Sequence, residues 1–232
     1  MGDVEKLLAT ARGDRPPDTV IRGGDLVNVH TGEIQERLDV LVAGGRVAAL
    51  RESEEASWKA DESITVIDAS GSYVAPGFLD SHIHVERGYT TLAGFSRGAI
   101  PAGTTGVFFE AHDTVNVMGL AGLECLLEEG RRLPLKAWGT VSSSVPETPA
   151  LEDAGARVRP EDVARTMEMD GVVGLGEVMD FQGVIDGEED LLEKITATLS
   201  AGKVATGHFT GADLDDLAPY IAAGISSCHE SQ

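Results

Sequence analysis

The stretch YVAPGFLDSHIH (73–84) decides the fold. Its first eight residues read as a buried strand, a mostly apolar run punctuated by Pro76-Gly77. The residues after that strand exclude one parallel fold. A doubly wound dinucleotide-binding sheet needs a glycine-rich loop directly after its first strand, and here Asp80-Ser81-His82-Ile83-His84 stands in that place. The glycines of GVVGLGEV (171–178) do not rescue that reading, because GLG lies inside a strand and opens no helix.

Downstream, the same rhythm repeats. Strand candidates TTGVFFEA (104–111), LKAWGTV (135–141), VVGLGEV (172–178), KVATGH (203–208) and GISSCH (224–229) alternate with helical patterns. The helices are TLAGFSRGAIPA, NVMGLAGLECLLEEG, PEDVARTMEM, EEDLLEKITATLSA and ADLDDLAPYIAA, with starts predicted at Asn116, at Pro160 with Glu161 and Asp162, and at Asp213. Such alternation predicts a parallel sheet with right-handed crossovers. Six units fit in residues 73–232, and an eight-stranded barrel needs two more. The fold expected is a partial (β/α) barrel of the TIM type.

Upstream, TVIRGGDLVNV (19–29), DVLVAGGRVAAL (39–50) and ITVIDAS (64–70) are short strand runs, with Gly44-Gly45 placed as a hairpin turn. Glu52 to Glu62 is acidic and polar and reads as a loop. Residues 1–17 are expected to form an arm with a short helix over 3–12, residues 18–72 a small β-sandwich layer, and residues 73–232 the barrel portion.

The net charge of -21 opposes binding to a nucleic-acid backbone or an anionic membrane surface. No apolar run reaches the ~18 residues that span a bilayer, and the N-terminus lacks a basic, apolar leader, so a cytoplasmic protein is expected. Cys125 and Cys228 form no CxxC pair and suggest no disulfide scaffold; Cys125 is expected in the core of a helix.

His82 and His84 are two apart on a strand, so both rings face the same side and can converge on one ion. Glu177, His208 and His229 lie at the C-terminal ends of later strands, the face on which parallel barrels carry their sites. His112 comes just after the second strand. A carboxylate has two oxygens and can bridge two cations, which suits Glu177 to a binuclear centre. Asp80 precedes the histidine pair and is read as its anchor.

PGFLDSHIHVE resembles the opening metal motif of the amidohydrolase superfamily. The segments VNVHTGEI, AGTTGVFFEAHDTVNVMGL, SSSVPETP, GLGEVMDFQGVI and TGHFTGADLDDLAPYIAAGISSCHE are similar to the adenine deaminase family within it. The resemblance implies His82 and His84 on one divalent ion, His208 and His229 on a second, and Glu177 bridging them; zinc, manganese and iron(II) all suit this donor set. It also implies that Glu86 and His112 face a small nitrogen heterocycle and that a C–N bond is hydrolysed. Glu110-Ala111 replaces the family's Asp-Pro, and Cys228 stands where aspartate is usual. The family's proton-shuttling aspartate ends the eighth strand, which the sequence given does not contain. The expectations are then three: a partner chain carrying the remaining strands and that aspartate, a fragment of a longer enzyme, or a noncatalytic metal-binding regulatory subunit. An incomplete barrel is expected to expose apolar edges on its first and sixth strands.

Overall fold

A computed structural model describes residues 2–53, 58, 63–146, 152–211 and 213–229. The chain divides into two compact units, Met1–Pro76 and Gly77–Gln232.

The first unit holds α1 (Asp3–Arg12), β1 (Thr19–Asn28), β2 (Glu33–Ala43), β3 (Arg46–Glu52), β4 (Thr65–Asp68) and β5 (Tyr73–Val74). Its described residues form one five-stranded sheet ordered β3-β2-β1-β4, with β5 continuing beside β1. The β2–β3 hairpin turns at Gly44-Gly45 as the sequence predicts, although β2 starts well before Asp39. Tyr73 and Val74 pair with Asp25 and Leu26, so this sheet claims the first residues of the 73–84 stretch. Val20, Leu41 and Ile64 form its small core, with Trp58 packed against it. Asp39 is fully buried; it accepts from the Gly23 amide at 2.9 Å, the Trp58 indole at 2.8 Å and the Ser53 hydroxyl. Most of the 52–62 loop lies outside the described residues.

The second unit repeats strand and helix. Its strands are β6 (Phe78–Ile83), β7 (Thr104–Glu110), β8 (Lys136–Ser142), β9 (Val172–Val178), β10 (Val204–Gly207) and β11 (Ile225–Cys228). Between them lie α2 (Leu92–Ala99), α3 (His112–Met118), α4 (Leu120–Gly130), α5 (Pro160–Thr166), α6 (Phe181–Asp186), α7 (Glu189–Ser200) and α8 (Leu214–Ala222). All neighbours pair in parallel, and spatial order equals chain order from β6 to β11. A doubly wound sheet reverses its order at a switch point; a barrel winds one way, as this sheet does.

Side chains alternate along each strand. Val107 and Phe109 of β7 are fully buried and join a core with Leu123, Leu127, Val141, Leu175 and Ile195. On the opposite face Phe108 stacks on Trp138 at 5.1 Å. The caps at Pro160 and Asp213 form as expected: Pro160 opens α5, and Asp213 accepts from the amides of Asp215 and Asp216.

Three expectations require correction. The helix predicted from Asn116 starts at His112 and is interrupted at Gly119, because the Glu110-Ala111 strand end passes straight into a helical turn. Cys125 is exposed, on the outer face of α4. Of the two edge strands, β6 exposes Phe78 and Leu79, whereas β11 presents Ser226 and Ser227 with Ile225 buried. No helix among the described residues is long and apolar enough to cross a membrane.

Candidate metal centre

Four strand ends of the second unit deliver five donors to one place. β6 and the turn after it carry His82 and His84, β9 carries Glu177, and His208 and His229 come directly after β10 and β11. Glu177 is the hub and is only 4% exposed. Its Oε1 lies 3.2 Å from His82 Nε2, 3.2 Å from His208 Nδ1 and 3.1 Å from His229 Nε2. Its Oε2 lies 3.1 Å from His84 Nε2.

The histidines fall into two pairs. His82 Nε2 and His84 Nε2 are 3.2 Å apart, and His208 Nδ1 and His229 Nε2 are 3.3 Å apart. Two trios, His82–His84–Glu177 and Glu177–His208–His229, have spacings that suit a shared cation.

Neighbouring groups fix the rings. The other nitrogen of His84, Nδ1, lies 3.2 Å from the main-chain oxygen of Glu110. A carbonyl only accepts, so Nδ1 carries a proton; loss of the Nε2 proton would then turn that nitrogen's lone pair to the cluster, the tautomer a metal ligand needs. Asp80 does anchor the histidine pair, but through the main chain, accepting from the His82 amide at 3.2 Å.

Without a cation the cluster is electrostatically incomplete. One carboxylate faces four imidazoles, and each pair brings two nitrogens within hydrogen-bond distance where at most one proton fits between them. Burial pushes the Glu177 carboxyl up, but hydrogen bonds from His82 and His84 outweigh it and hold it below the usual carboxylate range. The same contact with Glu177 raises His82 against the opposing effect of burial. A donor set of nitrogen and carboxylate oxygen, gathered at a strand-end face, fits divalent metal.

The residues expected near substrate adjoin this cluster. His112 opens α3 and is buried, with its Nδ1 sealed off and 3.7 Å from Glu110 Oε1. That separation is an ion-pair distance, too long for a hydrogen bond. Burial pushes His112 down, yet Glu110 and Glu177 carry it above its ordinary value. Glu86 lies on the 3-10 turn after β6; one oxygen accepts the Asp113 amide at 3.3 Å and the other is buried without a partner. Burial raises its carboxyl.

Sequence reasoning registers Glu110 only as a departure from the family pattern. In the structure it is fully buried with neither oxygen hydrogen-bonded, and it forms a third donor trio with His112 and Glu177. Gly176 makes room for it, since a Cβ there would collide with Glu110 Oε2.

Comparison with known proteins identifies the family of the chain. The chain is 48% identical to the adenine deaminase of Moorella thermoacetica over 227 residues, covering 97% of this chain and 37% of that protein. It is 47% identical to the adenine deaminase of Rubrobacter xylanophilus over 228 residues, with the same coverage. The chain thus spans about 37% of the length of these curated relatives. Among solved structures, E. coli guanine deaminase superposes with a TM-score of 0.57 at 14% identity, covering 90% of this chain and 61% of that one. The atrazine chlorohydrolase of Arthrobacter aurescens TC1, complexed with zinc, superposes with a TM-score of 0.52 at 14% identity, covering 92% and 72%. These two likenesses concern the fold. The amidohydrolase family model matches residues 73–232, the span that carries every donor of the cluster, and the chain belongs to that family.

Proposed function

We propose that this chain forms the metal-holding part of a cytoplasmic hydrolase that deaminates a small nitrogen heterocycle, with adenine the first substrate to test. The observation that carries this reading is the convergence of Glu177 with two histidine pairs on one strand-end face. The similarity to curated adenine deaminases supports the choice of substrate class.

In this reading His82 and His84 would hold one divalent ion and His208 and His229 a second, with Glu177 shared between them. Such a pair supplies Lewis acidity, which acidifies water near neutral pH and polarises the bond under attack. The chain's own residues do the rest. The Glu110 carbonyl keeps His84 in the ligating tautomer. Glu86 and His112 bracket the substrate side, where the unpartnered Glu86 oxygen accepts a ring N–H. In the net reaction water adds to the carbon bearing the amino group, that C–N bond breaks, and ammonia leaves.

The leaving nitrogen needs a proton, which in this family an aspartate on the eighth strand delivers. We propose that this aspartate, two further barrel strands and the second layer of the β-sandwich come from a partner chain or from a longer form of this one, since the relatives extend well beyond the matched span.

Native mass spectrometry with metal analysis, combined with an ammonia-release assay on adenine, tests the proposal. Two ions per chain, with activity that appears together with a co-purifying second chain, is the expected result. Protein that takes up no metal sinks the whole reading. Metal-loaded protein that deaminates adenine alone sinks only the partner.

A further inference from the structure

We infer that Ser143 and Tyr220 are positioning residues that hold the main chain of Glu177 in the conformation from which its carboxylate reaches both histidine pairs. The inference rests on the metal-centre reading and names a role for Ser143, which the site has not otherwise used.

Glu177 has φ +34, in the left-handed region that a residue with a Cβ occupies only when its surroundings enforce it. The sheet ladder does not supply that enforcement. On one side, β8 and β9 are in register up to Ser142 opposite Gly176, and the Ser143 amide then reaches the Gly176 carbonyl. On the other, β9 and β10 pair through Leu175 opposite Ala205, after which the register shifts and Gly207 faces Val178. Glu177 is paired in neither register.

Two hydroxyls act where the ladder lapses. Ser143 Oγ donates to the Glu177 carbonyl at 2.7 Å. The Tyr220 hydroxyl donates to the Val178 carbonyl at 2.5 Å and accepts the His208 amide at 3.2 Å, which ties the strand of the bridge to the backbone of a ligand on β10. Both residues are buried, at 0% and 1% exposure. Ser143 is itself held: Lys194, a buried lysine on α7 paired with Asp190 at 2.5 Å, donates to the Ser143 carbonyl at 3.0 Å. Gly207 leaves space for the phenol, because a Cβ there would collide with its oxygen.

A hydroxyl that merely stabilised the core would affect folding and leave metal binding alone. Tyr220→Phe and Ser143→Ala each remove one donor, and Thr166→Val removes a buried hydroxyl bonded within α5 as a control. Mn2+ is the probe: its affinity is measured by calorimetry, the coupling of the loaded pair by electron paramagnetic resonance, and metal-free stability by thermal melting. Both variants are expected to lose about 10- to 100-fold in Mn2+ affinity, the range seen when a ligand's supporting partner is removed, and to show altered coupling. Thr166→Val is expected to melt earlier with affinity unchanged. If Ser143→Ala fails to fold, the isosteric Tyr220→Phe decides alone. Parental affinity and spectrum in the folded variants overturn the inference. A parental protein that binds no Mn2+ overturns the metal-centre reading and this inference with it.

Discussion

The rings of His82 and His229 stack with centroids 4.3 Å apart and planes 22° from parallel, although their strands are the two edges of the six-stranded sheet. The sheet therefore curls until side chains from its two edges touch at the C-terminal end of the strands. An ion pair bound there bridges elements that no backbone hydrogen bond connects. Divalent metal should stabilise the protein by about 2.7 kcal/mol for each ion bound at a free concentration 100 times its dissociation constant. Melting curves with Mn2+ and with chelator check this, and coincident curves would refute it.

Glu177→Gln keeps the shape of the bridge and removes its charge. All four histidines face this side chain, so both ions should be weakened together, by at least about 100-fold given what lesser supporting contacts contribute. Metal content after gel filtration is the measurement. Loss of one ion alone would mean that the two halves do not share the bridge.

Proton linkage gives opposite pH trends with and without metal. Glu177 holds His82 above its ordinary value near 6.5, so that pairing stabilises fully below the unfolded value and is lost as pH rises through the folded one. Glu177 is held low by His82 and His84 despite burial, so its contribution is present above its unfolded value near 4.5 and is lost as pH falls through the folded one. In the metal-free protein the cluster contributes most between these limits. Metal needs neutral rings, so Mn2+ affinity should climb as pH rises through the histidine range. A flat affinity profile would remove the histidines from the ligand set.

Glu110→Met replaces a buried carboxylate that has no hydrogen bond with an apolar chain of similar length. Stability of the metal-free protein should rise by about 1–3 kcal/mol, the cost of an unsatisfied buried polar group, while Mn2+ affinity falls because a nearby negative charge is gone. Urea unfolding and calorimetry report the two effects separately. A decrease in both would show that the His112 ion pair outweighs the missing hydrogen bonds of Glu110.

His112→Ala should change kcat/KM for the heterocycle far more than metal content, since neither predicted metal pair includes this ring. An equal loss of metal would make His112 a ligand.

Much of this arrangement is legible in the residues. VVGLGEV matches β9 from Val172 to Val178, and four of the other five strands of the unit fall within a residue of their predicted places; the first, expected over 73–80, is β6 at Phe78–Ile83, because Tyr73 and Val74 pair in the other unit's sheet. Period-two alternation and punctuating glycines make buried strands readable, and rare histidines at strand ends mark a shared face. Helix α6 escapes such a reading because Phe181–Asp186 is too short to show a helical period, and its Asp180 cap sits inside the GLGEVMDFQGVI motif. The left-handed turn at Glu177 and the buried carboxylate of Glu110 are invisible for a different reason. Both depend on neighbours distant in sequence, Ser143 and Tyr220 for one and Gly176 for the other.

Because spatial order matches chain order, the donors leave the ribosome in the order in which they sit across the sheet. His82 and His84 emerge first, the bridge comes next, and His229 comes last. At the usual ~5–20 residues per second of synthesis, seconds separate the first donor from the last. Metal capture at both seats thus waits for His229, and before Glu177 emerges the nascent chain offers cellular metal only a two-histidine foothold.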